Sequence, residues 1–189
     1  MGVEVIQDLK KYGVWLLKRR GQHVVVSPEV LHRMAKHAEV GKNDVVLEVG
    51  TGLGNLTAVL AERAKHVISV EKDGRMLELA KRRVRASNVT FIHGDIFRAE
   101  IPRFNKVVSN IPYNISSKLT FWLLEHPFDV GVLMFQLEFA KRLVAAPGTA
   151  QYGRLTVNFW YKAEAEVLEV LPPEVFFPRP RVMSAIVRI

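Results

Sequence analysis

Cysteine is absent from all 189 residues, which excludes disulfides, thiolate zinc sites and thiol nucleophiles in one step. Long apolar runs are also lacking. Val24 to Val26 and Val130 to Phe135 are far too short to span a bilayer, which takes about 20 residues as a helix. A signal peptide begins with basic residues, whereas this chain has Glu4 and Asp8 near its start. The six histidines, His23, His32, His37, His66, His93 and His126, show no His-Glu-x-x-His or related spacing, so no metal site is expected. These absences predict a soluble, cytoplasmic protein with no membrane segment and no metal.

Acidic residues are the scarcer charge. There are 19 Asp and Glu against 27 Lys and Arg, a formal net charge of +8, and an isoelectric point near 9.9, which favour a polyanionic partner such as nucleic acid. Basic clusters stand at Lys18-Arg19-Arg20, at Lys81-Arg82-Arg83 with Arg85, at Lys141-Arg142 and at Arg179 with Arg181. Each alone reads as a solvated helix face; their common sign carries the expectation.

At 49% hydrophobic the chain can bury one substantial core. No repeat or linker divides it, so residues 1–189 are expected to form a single domain. Within it, residues 1–20 form an N-terminal helical extension: Val5, Leu9, Tyr12, Leu16 and Leu17 fall at helical spacing before the basic triplet. After residue 44 strand-like and helix-like segments alternate, the pattern of an α/β fold with a mainly parallel sheet. Strands are predicted at 44–49, 66–71, 89–93, 106–110, 130–136, 166–171 and 182–189. Helices are predicted at 55–63, with Asn55 as its cap, and at 74–85, 116–124, 137–144 and 154–163.

The first predicted strand runs into Glu48-Val49-Gly50-Thr51-Gly52-Leu53-Gly54. In a doubly wound sheet ligands bind at the carboxyl ends of the strands, and a glycine turn there lets backbone amides approach them closely. No Walker lysine follows, and the G-x-G-x-G spacing is one residue shorter than the dinucleotide fingerprint. Glu71, at the end of the second predicted strand and roughly 20 residues on, is placed to accept the ribose hydroxyls of a nucleoside. Asp95, after the third, is placed to meet an adenine amino group. Glu48, Gly50, Gly52, Gly54, Glu71 and Asp95 are therefore the candidate cofactor residues.

Asn110-Ile111-Pro112-Tyr113 closes the apolar run that starts at Phe104. An exocyclic amine on adenine or cytosine donates its lone pair into the ring, so it needs reorientation more than it needs a base. The Asn110 side-chain oxygen, which also borders the cofactor, and the Ile111 carbonyl supply two acceptors for its hydrogens. Pro112 holds Ile111 extended so that its carbonyl projects into the pocket, and Tyr113 offers a ring to stack on the base. Phe177, in Phe176-Phe177-Pro178-Arg179-Pro180, is a second ring to close on the opposite face. With the glycine turn, these residues point to methyl transfer from S-adenosylmethionine to a base amine. The lack of cysteine fits, since methylation of pyrimidine C5 and radical cleavage of that cofactor both depend on thiolates.

These residues resemble the ribosomal RNA adenine dimethyltransferases, the family that includes the erythromycin-resistance methylases. The similarity runs from Gly21 to Ile189 and covers Glu48 to Gly54, Glu71, Gly94-Asp95, Asn110 to Tyr113 with Ser116-Ser117, Gln136 to Arg142, Tyr152 to Leu155, and Phe177 to Pro180 followed by Val182 and Ser184. The resemblance implies a class I methyltransferase fold, Rossmann-like, with a mostly parallel seven-stranded sheet and helices on both faces. It implies S-adenosylmethionine as donor and transfer of two methyl groups to one base amine in small-subunit rRNA or a ribosomal subunit precursor. The family's Gln-Asn-Phe-Leu near the cofactor reads Gln22-His23-Val24-Val25 here, so Gln22 matches and the aromatic contact does not. Full-length members continue into a small helical RNA-binding domain, which this chain is expected to lack.

Adenine N6 and cytosine N4 present the same amine to Asn110, and the motif leaves both open. Two other classes stand beside the enzyme: a non-catalytic RNA-binding ribosome assembly factor, and a protein glutamine methylase using similar Asn-Pro-Tyr chemistry. Intact Asn110, Pro112 and Tyr113 disfavour the first, and the basic charge and Phe177 loop disfavour the second.

Overall fold

The computed structural model describes residues 23–189 together with Gln7 and Lys11. Apart from Gln7 and Lys11, the expected N-terminal helix lies outside the described residues, as does Gln22. The elements are β1 (Val24–Val25), α1 (Pro28–His37), β2 (Val45–Val49), α2 (Asn55–Arg63), β3 (His66–Glu71), α3 (Gly74–Arg83), β4 (Val89–His93), β5 (Lys106–Asn110), α4 (Ser116–Leu123), β6 (Val130–Gln136), α5 (Leu137–Leu143), α6 (Arg154–Trp160), β7 (Glu166–Leu171), β8 (Phe176–Phe177) and β9 (Ser184–Arg188).

Seven strands form one sheet in the order β4-β3-β2-β5-β6-β9-β7. The five from β4 to β6 pair in parallel, while β9 runs antiparallel between β6 and β7. The two-residue strands β1 and β8 make a separate antiparallel pair, with Val24 opposite Phe177. No helix among the described residues is long and apolar enough to cross a membrane.

Strand alternation builds a core on each face of the sheet. Val46, Val67, Val108, Val132 and Met134 pack with Val30, Leu31 and Met34 of α1 and Leu56, Val59 and Leu60 of α2. Their neighbours Leu47, Ile68, Val107, Leu133 and Phe135 face the other way, onto Leu119 and Leu123 of α4, Leu143 of α5 and Phe159 of α6. The result is the α/β fold that the alternation of segments predicts, with the helices on both faces that the resemblance implies.

Helix α1 is an addition to that reading, although its start carries a capping signature. Ser27 accepts the Val30 amide at 3.4 Å, Pro28 occupies the first turn with Glu29, and Lys36 and His37 sit in the last turn. Helix α3 stops at Arg83, two residues short of the predicted end, because Val84 is extended. Helix α6 ends at Trp160 and β9 begins at Ser184, so 161–163 and 182–183 fall outside the elements predicted for them.

Asn55 does not cap α2. The cap position is Gly54, in the left-handed region at φ 80° and with no side-chain bond, and Asn55 is the first helical residue. The Asn55 amide instead donates to the Val25 carbonyl at 3.0 Å and its oxygen accepts from Arg83 at 3.1 Å, joining β1, α2 and α3. A Cβ at Gly54 would lie 2.7 Å from Val84 Cγ2 and 3.4 Å from Ala80 Cβ, so glycine permits both the backbone turn and the approach of α3.

Gly54→Ala therefore combines a left-handed penalty with overpacking and should destabilise the protein by about 2–4 kcal/mol. Urea unfolding measures it, and a loss below about 0.5 kcal/mol, the range of an inert surface change, would contradict this packing.

Candidate active site

The order of strands reverses at the β2–β5 boundary: from β2 the chain builds outward to β3 and β4, then returns to β5. That switch leaves a crevice at the carboxyl ends of the strands. A cavity of about 600 Å³ occupies it, with Gly50 and Gly52 from the turn after β2, Glu71 from the end of β3, Asp95 after β4 and Pro112 after β5 on its walls. Four separate stretches of chain thus converge there as the sequence reading expects.

Gly50 and Gly52 both adopt positive φ, 86° and 57°. The Gly50 amide donates to the Val70 carbonyl at 2.8 Å, and the Gly52 amide donates to Glu71 Oε2 at 2.9 Å. Glu71 Oε1 accepts the Asp73 amide at 2.9 Å. Burial raises the Glu71 pKa, with the Asp73 and Gly52 amides pulling the other way. Each carboxylate oxygen has a further lone pair available to a ligand.

Asp95 meets a different environment. Lys72 pairs with its Oδ2 at 2.9 Å and the Phe97 amide donates to its Oδ1 at 3.2 Å. The lysine first, then the amide, hold this carboxyl below the usual carboxylate range. Val49, Met76, Ile96 and Phe97 supply apolar wall to the same cavity.

Glu48 and Gly54, expected as cofactor contacts, do not line the cavity. Gly54 serves the α2–α3 packing described above. Glu48 stays off the wall for a reason of register: alternation turns Leu47 and Val49 to one face and Glu48 to the other, beneath α2. There Glu48 is 1% exposed, and its Oε2 accepts from the hydroxyls of Thr57 and Ser69, each at 2.6 Å. Ser69 in turn pairs with Thr51 Oγ1 at 2.6 Å, so this buried acid anchors the glycine turn from below. Burial pushes its pKa up to about 8, aided by the charge of Glu71 and opposed by the two hydroxyls.

The acceptor side begins where β5 ends. Ile111 is buried, Pro112 follows at φ −56° and ψ 122°, and a 3-10 turn spans Tyr113–Ile115, closed by the Ile115 amide on the Pro112 carbonyl at 3.0 Å. Asn110 Nδ2 donates to the His23 main-chain carbonyl at 2.8 Å. The Tyr113 hydroxyl pairs with Ser184 Oγ at 2.7 Å, and burial raises its pKa. Asn110, Ile111 and Tyr113 adjoin the cavity through Pro112 and His23, both of which line it.

The ring that meets Tyr113 is His23, with centroids 5.5 Å apart and planes 25° from parallel. Phe177 sits instead on the apolar cluster of Val24, Leu53, Met76 and Leu79; among the described residues no ring contact joins it to Tyr113. Sequence reading passed over His23 as a site residue. The available signal was its position directly after Gln22, in the stretch that resembles Gln-Asn-Phe-Leu. Phe97 was also missed, two residues beyond Asp95. Its ring lies under the Lys118 ammonium at 4.0 Å.

The model of the family described as ribosomal RNA adenine dimethylase matches residues 16–189. A probable ribosomal RNA small subunit methyltransferase A from Methanothermobacter thermautotrophicus is 46% identical over 186 residues, 98% of this chain and 68% of that protein. Among solved structures, a dimethyladenosine transferase from Plasmodium falciparum superposes with a TM-score of 0.82 at 37% identity, covering 87% of this chain and 62% of that one. The 23S rRNA methyltransferase ErmE gives 0.78 at 35% identity, covering 86% and 67%. The chain spans about two thirds of the length of these proteins.

The buried Glu48 gives stability a pH dependence of defined sign. Its folded pKa, about 8, lies above the ordinary glutamate value of 4.5, so the fold favours the protonated acid; its contribution is full below the lower value and is lost as pH rises through the upper one. Glu48→Gln, which mimics the neutral acid, should gain stability relative to the unsubstituted protein between about pH 5 and pH 8.5. Thermal unfolding across that range measures the difference, and a gap that stays constant would show that Glu48 is ionised throughout.

Proposed function

Because the chain belongs to the ribosomal RNA adenine dimethylase family, we propose that it transfers two methyl groups from S-adenosylmethionine to the N6 amine of an adenine in small-subunit rRNA, presented within a ribosomal subunit precursor in the cytoplasm. The observation that carries this reading is the meeting of two half-sites at Pro112 and His23: a nucleoside-sized cavity with two acids, and a turn of amine acceptors beside it.

The cavity residues fit the cofactor. About 600 Å³ lies within the range of small-molecule sites, and Gly50 and Gly52 bring bare backbone to its wall. Glu71, with both oxygens already placed by amides, would hold the ribose hydroxyls. Asp95 would take the adenine amine, with Val49, Met76 and Ile96 against the flat ring. When bound, S-adenosylmethionine supplies a methyl group already activated on a sulfonium.

The chain's own contribution is orientation. Asn110 Oδ1 and the Ile111 carbonyl would accept the two hydrogens of the base amine, drawing its lone pair out of conjugation and towards the cavity. Pro112 keeps the two acceptors in fixed relation, and the Tyr113 ring would receive the base by stacking. Alignment of this kind supplies several kcal/mol without a general base. After one methyl is added and the amine has released one proton to water, one N–H remains and one acceptor still holds it, so the same geometry serves a second transfer.

The two half-sites should separate in mutants. Glu71→Ala should weaken S-adenosylmethionine binding at least tenfold, about 1.5–3 kcal/mol of charged hydrogen bonding, as read by calorimetry on a folded variant. Asn110→Ala should bind the cofactor nearly normally and lose roughly two or more orders of magnitude in methyl transfer. Equal effects of both changes on binding would contradict the division.

The reaction itself is tested by incubating the protein with labelled donor and immature small subunits, then digesting the RNA to nucleosides. Dimethylated adenosine is the expected product. Dimethylated cytidine would keep the amine chemistry and replace the base, whereas label on ribose, a ring carbon or protein would overturn the proposal.

A further inference from the structure

The Tyr113 side chain is held at both ends. Its backbone belongs to the turn after β5, where the Ile115 amide closes on the Pro112 carbonyl at 3.0 Å and Ser116 Oγ donates to the Tyr113 carbonyl at 3.1 Å. Its hydroxyl meets Ser184 Oγ at 2.7 Å, 71 residues away in sequence. Tyr113 is half-buried and Ser184 is fully buried. Among the described residues the phenol is the one partner of the Ser184 hydroxyl, and either oxygen can donate.

Ser184 is fixed from both sides. It opens β9 opposite Gln136 of β6 and Leu171 of β7, and the Leu137 amide donates to the carbonyl of the preceding residue, Met183, at 3.0 Å. The other part of the acceptor turn refers to the same strand, because Asn110 lies opposite Met134 of β6. Met134 and Gln136 stand about 7 Å apart along that strand, so β6 sets the spacing between Asn110 and the anchor of the Tyr113 ring. Stacking on a base uses the ring face and needs no hydroxyl. The hydroxyl instead opposes rotation of the side chain about χ1, which a half-buried ring on a turn is otherwise free to make.

We propose that Ser184 is a positioning residue of the acceptor half-site: by holding the Tyr113 hydroxyl it confines the ring to one rotamer, and so sets the plane in which a base stacks relative to the Asn110 acceptors. This rests on the methyl-transfer reading above. Ser184 has no contact with base or cofactor in this role. It does not line the cavity, so its loss acts on turnover through Tyr113 and spares cofactor affinity.

Three-bond NMR couplings from Tyr113 Cγ to its backbone nitrogen and carbonyl carbon test the geometry in the unliganded protein without any activity. They should report a single χ1 rotamer in the unsubstituted protein and averaging among rotamers in Ser184→Ala. A single rotamer retained in Ser184→Ala would overturn the proposal. In kinetics on immature small subunits, Ser184→Ala should lower kcat roughly five- to twentyfold, the scale of one lost hydrogen bond with some misalignment, while KM for the subunits and S-adenosylmethionine affinity change less than about threefold. Tyr113→Phe keeps the ring and loses the same bond, so it should show a comparable loss, and it serves if Ser184→Ala does not fold. The double variant should be no slower than the slower single one, since both changes remove one interaction. Multiplied losses, unaltered turnover in either single variant, or a loss confined to cofactor binding would contradict the role; a merely structural bond would lower the unfolding temperature and leave kcat alone. If the unsubstituted protein methylates no RNA, the functional reading fails, and the couplings still decide whether Ser184 holds Tyr113.

Discussion

The site depends on the short passage from β2 to α2, where the chain leaves a strand buried on both faces, crosses the ends of its neighbours and starts a helix at residue 55. Left-handed backbone at Gly50, Gly52 and Gly54 makes the passage geometrically open. The buried Glu48, Ser69 and Thr51 chain makes it specific, since the turn has a polar anchor under it where water is excluded. Because Glu71 also accepts an amide from this turn, the position of its carboxylate and the shape of the glycine loop are set together.

Three acids near that turn show how environment divides similar chemistry. Glu48 is buried among hydroxyls and favours its neutral form. Asp95 is held ionised by Lys72 and an amide. Glu71 stands between them, desolvated yet supported by amide donors and facing the cavity. Only the last two are placed for a ligand. The basic clusters also divide: Lys81 pairs with Glu78, Lys141 with Glu138 and Arg179 with Glu174. Such exposed pairs are weak.

Much of the fold was legible because buried parallel strands write themselves as apolar runs. The strands at 66–71, 89–93, 106–110 and 130–136 have the predicted ends. Helix ends were less legible, since α3 stops where Val84 turns extended to meet Gly54, a tertiary event. In the site, Gly50, Gly52, Glu71, Asp95 and Pro112 reach the cavity as their strand-end positions suggest. Glu48 lies buried under the turn and not on the cavity wall, a placement that motif spacing does not show because it ignores which face of a strand a residue takes. His23 and the place of Phe177 were not legible because β1 and β8 are two residues each and pair across most of the chain; nothing local marks such a pairing.

The proposed reaction requires one cavity to hold the methyl donor with its reacting end against the Asn110 turn. A crystal structure of the protein with S-adenosylhomocysteine, the unreactive product, tests it most directly. The account predicts ribose hydroxyls on Glu71 at about 3 Å, the purine beside Asp95, and the sulfur at the Pro112 and Asn110 edge of the cavity. A ligand bound elsewhere, or seated with its sulfur turned away from Asn110, would contradict it.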